Sequence, residues 1–184
     1  SDIIWMDYLQ ACELKESLAK EKILIKILYR AFKDRGFRAV CLYRLGHYYR
    51  KKGHRIIPAI IEILIIHLCF VQISTSAIIG PGFNIQHPFG VVVGVGVKAG
   101  KNLSLRQGIT IGANRDKTRE DGTTHPIIGD NVIIGSGAQV LGPINVGDNC
   151  VIGANAVVIS DVPSNSVSAG VPARAIRING RRIS

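Results

Sequence analysis

The sequence predicts a mainly β chain: a parallel β-helix of six-residue repeats, preceded by a small N-terminal α-helical region. Two observations carry this. Apolar residues recur at helical spacing over residues 1–70 and then, from Ile73, at every sixth residue. A glycine follows the aliphatic residue as "IG" at 79, 111, 128, 134 and 152 and as "VG" at 93 and 146.

Over 14–32, Leu14, Leu18, Ile25, Leu28 and Phe32 fall at the spacing of one helix face, and Gly36 ends the segment. A second helix is expected from Phe37 to about Lys52, with Val40, Tyr43, Leu45 and Tyr48 as core candidates and Gly53 as its stop. Pro58 suits the first turn of a third helix. That stretch, "IIPAIIEILIIHLCFV" (56–71), is too short to span a bilayer comfortably and reads as a buried helix. Docking onto a membrane or a neighbouring subunit is the alternative.

The sixfold phase runs through Ile73, Ile79 and Ile85, slips by two residues at Val91–Val93, and resumes as Val93, Ala99, Leu105 and Ile111. It returns as Ile128, Ile134, Val140, Val146, Ile152 and Val158. Such an internal repeat decides the fold. Each unit makes one short strand and a turn, with one aliphatic side chain pointing inward. Three units close a triangular coil, so aliphatic residues stack and share a core that no single unit possesses. Burying each contributes roughly 1.5–3 kcal/mol. The polar stretch "ANRDKTREDGTTHP" (113–126) interrupts the repeat and must project outward, and loops of that kind commonly carry function. The expected organisation is therefore a helical region over 1–70, a β-helix over 71–178 with the projecting loop 113–126, and a basic tail over 179–184.

The 184 residues carry a formal charge of +10, which favours polyanionic partners. No zinc-finger spacing and no aromatic–basic signature is present, so nucleic acid is not expected. Cys12, Cys41, Cys69 and Cys150 form no CxxC pair and read as reduced, buried thiols of a cytoplasmic protein. Asp2, Asp7 and Glu13 interrupt the start, so no signal peptide is read there.

These features resemble the hexapeptide acyltransferases, and within them the serine acetyltransferase-like branch. "IQHPFGVVVG" (85–94), "RQGITIG" (106–112), the coils from "THPIIG" (124–129) onward and the closing "SAGVPARAI" (168–176) carry the resemblance. It implies a left-handed β-helix, a homotrimer or dimer of trimers, and acetyl-CoA as donor in the groove between neighbouring β-helices. It implies that His87 is the general base and His125 a second active-site histidine. The chemistry suits the residues, since a thioester is already activated and the enzyme must mainly position the partners and remove a proton. Imidazole titrates near neutral pH. Gly108 and Gly112 offer close backbone approach, and a backbone N–H could steady the oxyanion. Arg174 and Arg177 are candidates for the cofactor's phosphates, or equally solvated tail arginines. Ala113, Ala138 and Ala156 complete the cofactor-binding candidates that the resemblance implies.

Two positions depart from the serine acetyltransferase pattern. An aspartate precedes the catalytic histidine there, and another lies fourteen residues earlier; here Gln86 and Gln72 stand at those places. Glutamine can orient an imidazole by a hydrogen bond, but it brings no charge to an imidazolium or an ammonium. Gln72 and Gln86 are therefore candidate acceptor contacts for something other than free serine. Colanic-acid and capsule-type acetyltransferases share the short helical region and the "RLGHYYRKKG"-like stretch (44–53). The expectation is acetyl transfer to a sugar hydroxyl of a surface polysaccharide, with serine O-acetylation as the alternative. The basic run Arg50, Lys51, Lys52, His54 and Arg55 could face the inner surface of the membrane, or be a solvated helix end. A zinc hydrase would need three histidine ligands, and the repeats supply only His87 and His125, so no metal is expected.

Overall fold

The computed structural model describes residues 2–11, 23–114 and 117–183. These form helices α1 (Asp2–Ala11), α2 (Ile23–Lys33), α3 (Arg35–Lys51) and α4 (Ile56–Cys69), followed by a parallel β-helix. Leu14, Leu18, Cys12 and Ser184 lie outside the described residues, as do loop positions 115 and 116.

Asp34 caps α3: its Oδ1 accepts from the backbone N–H of Gly36 at 2.9 Å and of Phe37 at 3.1 Å. Gly36 therefore sits in the first turn of α3 and does not stop the helix before it. Its small size serves another purpose. A Cβ at this position would lie 2.0 Å from the carbonyl oxygen of Ile85, so glycine lets α3 rest directly on the first coil. Gly36→Ala is expected to destabilise the chain by about 1–3 kcal/mol, read by denaturant midpoint, because α3 must lift off the coil.

Val40 and Tyr43 are buried, but Leu45 and Tyr48 face outward at 47% and 51% exposure. Ile25, Leu28 and Phe32 of α2 are exposed too. α4 buries Pro58, Ile61, Ile65 and Cys69 and exposes Ile60, Ile63 and Leu64, so it is a one-sided helix and not a fully buried one. It packs on α3 and runs into the first strand, which leaves its other side open. Among the described residues no helix is long and apolar enough to cross a membrane.

Three faces build the β-helix. The first holds β1 (Val71–Ile73), β4 (Val91–Val93), β7 (Thr110–Gly112), β10 (Gln139–Leu141) and β13 (Val157–Val158). The second holds β2 (Ile78–Ile79), β5 (Lys98–Ala99), β8 (Ile127–Ile128) and β11 (Asn145–Val146). The third holds β3 (Asn84–Ile85), β6 (Ser104–Leu105), β9 (Ile133–Ile134), β12 (Val151–Ile152), β14 (Ser166–Gly170), β15 (Ala173–Ile178) and β16 (Arg181–Arg182). Pairing is parallel up to β14, which then pairs antiparallel with β15, as β15 does with β16.

The registers stack Ile73, Val93, Ile111, Val140 and Val158 into one inward column. Regular coils take 18 residues, as from Ile128 to Val146 and from Ile134 to Ile152. Three coils depart from this. The first takes 20, from Ile73 to Val93, and the one with the projecting loop takes 29, from Ile111 to Val140. The last is the shortest at 16, from Ile152 to Ser168. Residues four places after several of the stacked positions, namely Phe83, Val97, Leu103, Ile109 and Val132, are also fully buried. Outside, Asn102, Asn131, Asn149 and Asn165 share φ near 57° and form a ladder, each side-chain amide donating to the next at 2.8–3.0 Å.

The helices close the open edge of the first coil. The Tyr43 hydroxyl donates to the Ala77 carbonyl at 2.8 Å and accepts from the Ile79 N–H at 3.2 Å. Arg44 donates to the carbonyls of Ile79 and Gly80 and forms a two-point pair with Asp7 of α1. Asp7 in turn accepts from the Phe83 N–H at 2.8 Å. Cys41, Cys69 and Cys150 are free thiols. Burial, helped by the charge on Asp7, pushes the Cys41 thiol up to about 12, so it stays protonated and unreactive near neutral pH.

Candidate functional site

The two extra residues of the first coil fall at its last corner, between β3 and β4. Ile85 to Val93 takes eight residues where Leu105 to Ile111 takes six. The enlarged corner is "QHPFG", 86–90, and His87 stands on it with φ 56°. Histidine enters the left-handed region more readily than most side chains, at a cost of order 1 kcal/mol. The corner is held at both ends: the Gln86 N–H donates to the Leu105 carbonyl at 2.8 Å and the Gly90 N–H to the Phe70 carbonyl at 3.1 Å. Phe89 stacks on Phe70, the residue that ends α4, with ring centroids 5.7 Å apart. Arg35 lies over the same Phe70 ring at 5.3 Å. His87 itself projects outward and is exposed.

It opens onto a cleft of about 700 Å³ between this corner and the α2–α3 junction. Tyr29, Arg30, Lys33, Asp34 and Arg35 form the helical wall. The sequence reading passed over all five, because only the seating of Gly36 on Ile85 brings that junction to the corner. Asp34 also pairs with Arg30 at 2.8 Å.

The glutamines part company here. Gln86 is half-buried on the His87 corner, whereas Gln72 is exposed on β1 and lines a smaller groove of about 280 Å³ with Ile66, Phe70 and Val92. The stacked Phe70–Phe89 pair stands between the two recesses. Among the described residues, no hydrogen bond joins the His87 ring to either glutamine, so the orienting bond open to a glutamine is not made in this chain by itself.

His125 lies on the opposite corner, between the first and second faces. Its ring covers Gly96, where a Cβ would come 2.8 Å from Nδ1, so only glycine leaves room for it. Thr124 Oγ1 is 3.3 Å from the same nitrogen. Gly112 and Ala113 open the loop that ends there. Arg119, which the sequence reading did not single out, ties this loop down by donating to the Asn145 side chain at 2.9 Å and the Pro143 carbonyl at 3.1 Å. From Gly90 to Gly96 the chain crosses the first face, so the His87 and His125 corners stand roughly 15–20 Å apart in one chain. Only a second copy could bring the two histidines together.

The remaining candidates are spread along the stack. Gly108 shares the His87 corner one coil on, but its N–H already donates to the Phe89 carbonyl at 2.8 Å. It is therefore not a free oxyanion donor. Ala138 and Ala156 have their side chains in the core at 0% exposure, so their methyl groups cannot reach a ligand in a groove. Arg174 and Arg177 are exposed on β15. Five strand steps separate β15 from β3 on the third face, roughly 24 Å. Only an extended ligand could reach from these arginines to the His87 corner. Among the described residues no three His, Cys, Asp or Glu side chains group as metal ligands.

Residues 125–160 match the family model "Bacterial transferase hexapeptide (six repeats)". The serine acetyltransferase of Bacillus pumilus is 37% identical over 148 residues, covering 80% of this chain and 67% of its own. Two solved structures align over nearly the whole chain. One is the Neisseria gonorrhoeae serine acetyltransferase in complex with serine, with TM-score 0.80, 30% identity, and 96% of this chain and 68% of that one covered. The other is the Brucella abortus serine acetyltransferase in complex with coenzyme A, with TM-score 0.82, 28% identity, and 98% and 68% covered. The chain thus spans about two thirds of the length of these relatives. They overturn the expectation of a polysaccharide hydroxyl as acceptor. Gln72 and Gln86 reveal a charge that is missing at two positions, and a missing charge does not name the acceptor that replaces it. Shared sequence through the repeats, and shared architecture through the helices as well, place this chain in the serine acetyltransferase family of hexapeptide-repeat acyltransferases.

Proposed function

We propose that this chain transfers the acetyl group of acetyl-CoA to the hydroxyl of serine, with His87 as general base. The observation that carries the assignment of the base is the enlarged first-coil corner, which presents an exposed imidazole to an open cleft on the side where α3 meets the β-helix. The relatives bound to serine and to coenzyme A support the two substrates.

In this mechanism the imidazole of His87 accepts the hydroxyl proton as the oxygen attacks the thioester carbonyl. The tetrahedral adduct collapses, the carbon–sulfur bond breaks, and the imidazolium returns the proton to the departing thiolate. A base so placed contributes about 10²–10⁴-fold. His125 joins from a neighbouring copy, a reading that its distance from His87 within one chain supports, and with it a homotrimer or a dimer of trimers. Arg174 and Arg177 then hold the cofactor's phosphates at the far end of the groove, while Gly112 and Ala113 flank it through exposed backbone. The basic run from Arg50 to Arg55 leads into the open side of α4, a pairing that supports peripheral contact with an anionic membrane surface.

The test is release of CoA from acetyl-CoA with L-serine as acceptor, alongside light scattering for the oligomer. Serine-dependent turnover by a trimeric species is the expected result. Acetyl-CoA binding with no serine-dependent release would overturn the acceptor.

A further inference from the structure

Resting on the acyl-transfer reading above, we infer that the cleft beside His87 recognises its acceptor by the carboxylate and not by the ammonium. Lys33 and Arg35 are the residues that read it. The helical wall carries cations at Arg30, Lys33 and Arg35 and one acid, Asp34, on which Arg30 is held. That acid is already engaged: Oδ1 accepts two backbone N–H groups and Oδ2 pairs with Arg30 at 2.8 Å. Gln86, on the same corner as His87, is neutral. Among the described residues lining the cleft, an incoming ammonium therefore meets no carboxylate free to pair with it.

A carboxylate meets the reverse. The Lys33 ammonium sits over the Tyr29 ring at 5.1 Å and the Arg35 guanidinium over the Phe70 ring at 5.3 Å, cation–π contacts that hold each charged head in place while it keeps N–H groups to donate. Both line the same cleft as His87. An acceptor can then place its carboxylate on the cations and its hydroxyl on the imidazole, with charge-assisted hydrogen bonds fixing the first end. The substrate class is a short hydroxy-carboxylate, with the amine dispensable.

Three acceptors separate the groups: L-serine, 3-hydroxypropionate (serine without its amine) and L-serinamide (serine without its carboxylate). The expected pattern is a kcat/KM for 3-hydroxypropionate within about tenfold of serine, and a KM for serinamide at least about tenfold higher. In the double variant Lys33→Met, Arg35→Met, KM for both carboxylate acceptors rises by about tenfold while kcat and the KM for acetyl-CoA hold. Serinamide performing as well as serine, or an unchanged acceptor KM in the double variant, would overturn the inference and leave the acyl-transfer reading standing. If no acceptor supports CoA release, that reading falls instead. The anion subsite is then judged by titrating 3-hydroxypropionate into protein with ¹⁵N-labelled histidine. His87 ring signals that move in the wild type and stay still in the double variant support it, and signals that never move reject it. Circular dichroism melts confirm that the variants are folded.

Discussion

Acetyl transfer is expected to fall by about 10²–10⁴-fold when His87 becomes asparagine, while the melting temperature stays as it was. The choice of asparagine matters. His87 has φ 56°, and alanine there would add a backbone cost of roughly 1–2 kcal/mol that could be mistaken for a structural role. Asparagine tolerates the left-handed region and cannot accept a proton at neutral pH. The ring is exposed, and among the described residues it has no hydrogen-bond partner, so its loss leaves nothing buried and unsatisfied. A general base on this corner predicts lost turnover with intact stability; a structural histidine predicts the opposite. The measurement is CoA release paired with a thermal melt, and full activity in His87→Asn would remove the assignment.

Arg44→Met is expected to produce the largest stability loss in the molecule, about 3–5 kcal/mol by chemical denaturation at pH 7. The Arg44 side chain is 8% exposed and Asp7 is fully enclosed. Arg44 meets Asp7 through Nε at 2.8 Å and Nη2 at 3.1 Å, and it also satisfies two carbonyls of the first coil. Methionine keeps much of the volume and strands the carboxylate. The loss should depend on pH. Burial already raises the Asp7 carboxyl above its ordinary value, against the opposing pull of Arg44, and removing Arg44 raises it further. A carboxyl raised in the folded state favours folding when protonated, and that contribution fades as pH climbs from its unfolded value through its folded one. Both proteins lose this contribution together up to the raised wild-type value; above it only the variant goes on losing, so its deficit grows from there toward the variant's higher value and narrows again on acidification. A deficit independent of pH would mean that Arg44 acts through packing alone.

The coils were legible because their signal is local. Each stacked aliphatic residue announces itself within six positions, and even the two-residue enlargement beneath His87 showed as a slip in phase at Val91–Val93. The helices were less so. Gly36 reads as a stop when the Asp34 cap is overlooked, and Leu45 and Tyr48 look like core until the narrow end of the β-helix proves able to cover only one side of α3. Both histidines stood out, yet their separation did not, because spacing along the chain does not say which corner of a triangle a residue occupies. Lys33 and Arg35 escaped notice as surface charges, since they face His87 only through tertiary packing. The acceptor was misread because Gln72 and Gln86 mark only a missing charge, and a missing charge does not name the acceptor. Asp7 and Arg44, in α1 and α3, gave no sign of each other.

A ladder of parallel rungs has no natural length, and its end rungs offer unpaired backbone groups of the kind on which fibrils grow. Here the first rung is occupied by the Tyr43 hydroxyl, the Arg44 guanidinium and the Asp7 carboxylate. At the far end β14 turns back on itself through β15 and β16. Those three side chains thus act as a terminator of polymerisation as well as a clasp, and stripping them away would turn a self-limiting enzyme into a template for end-to-end filaments.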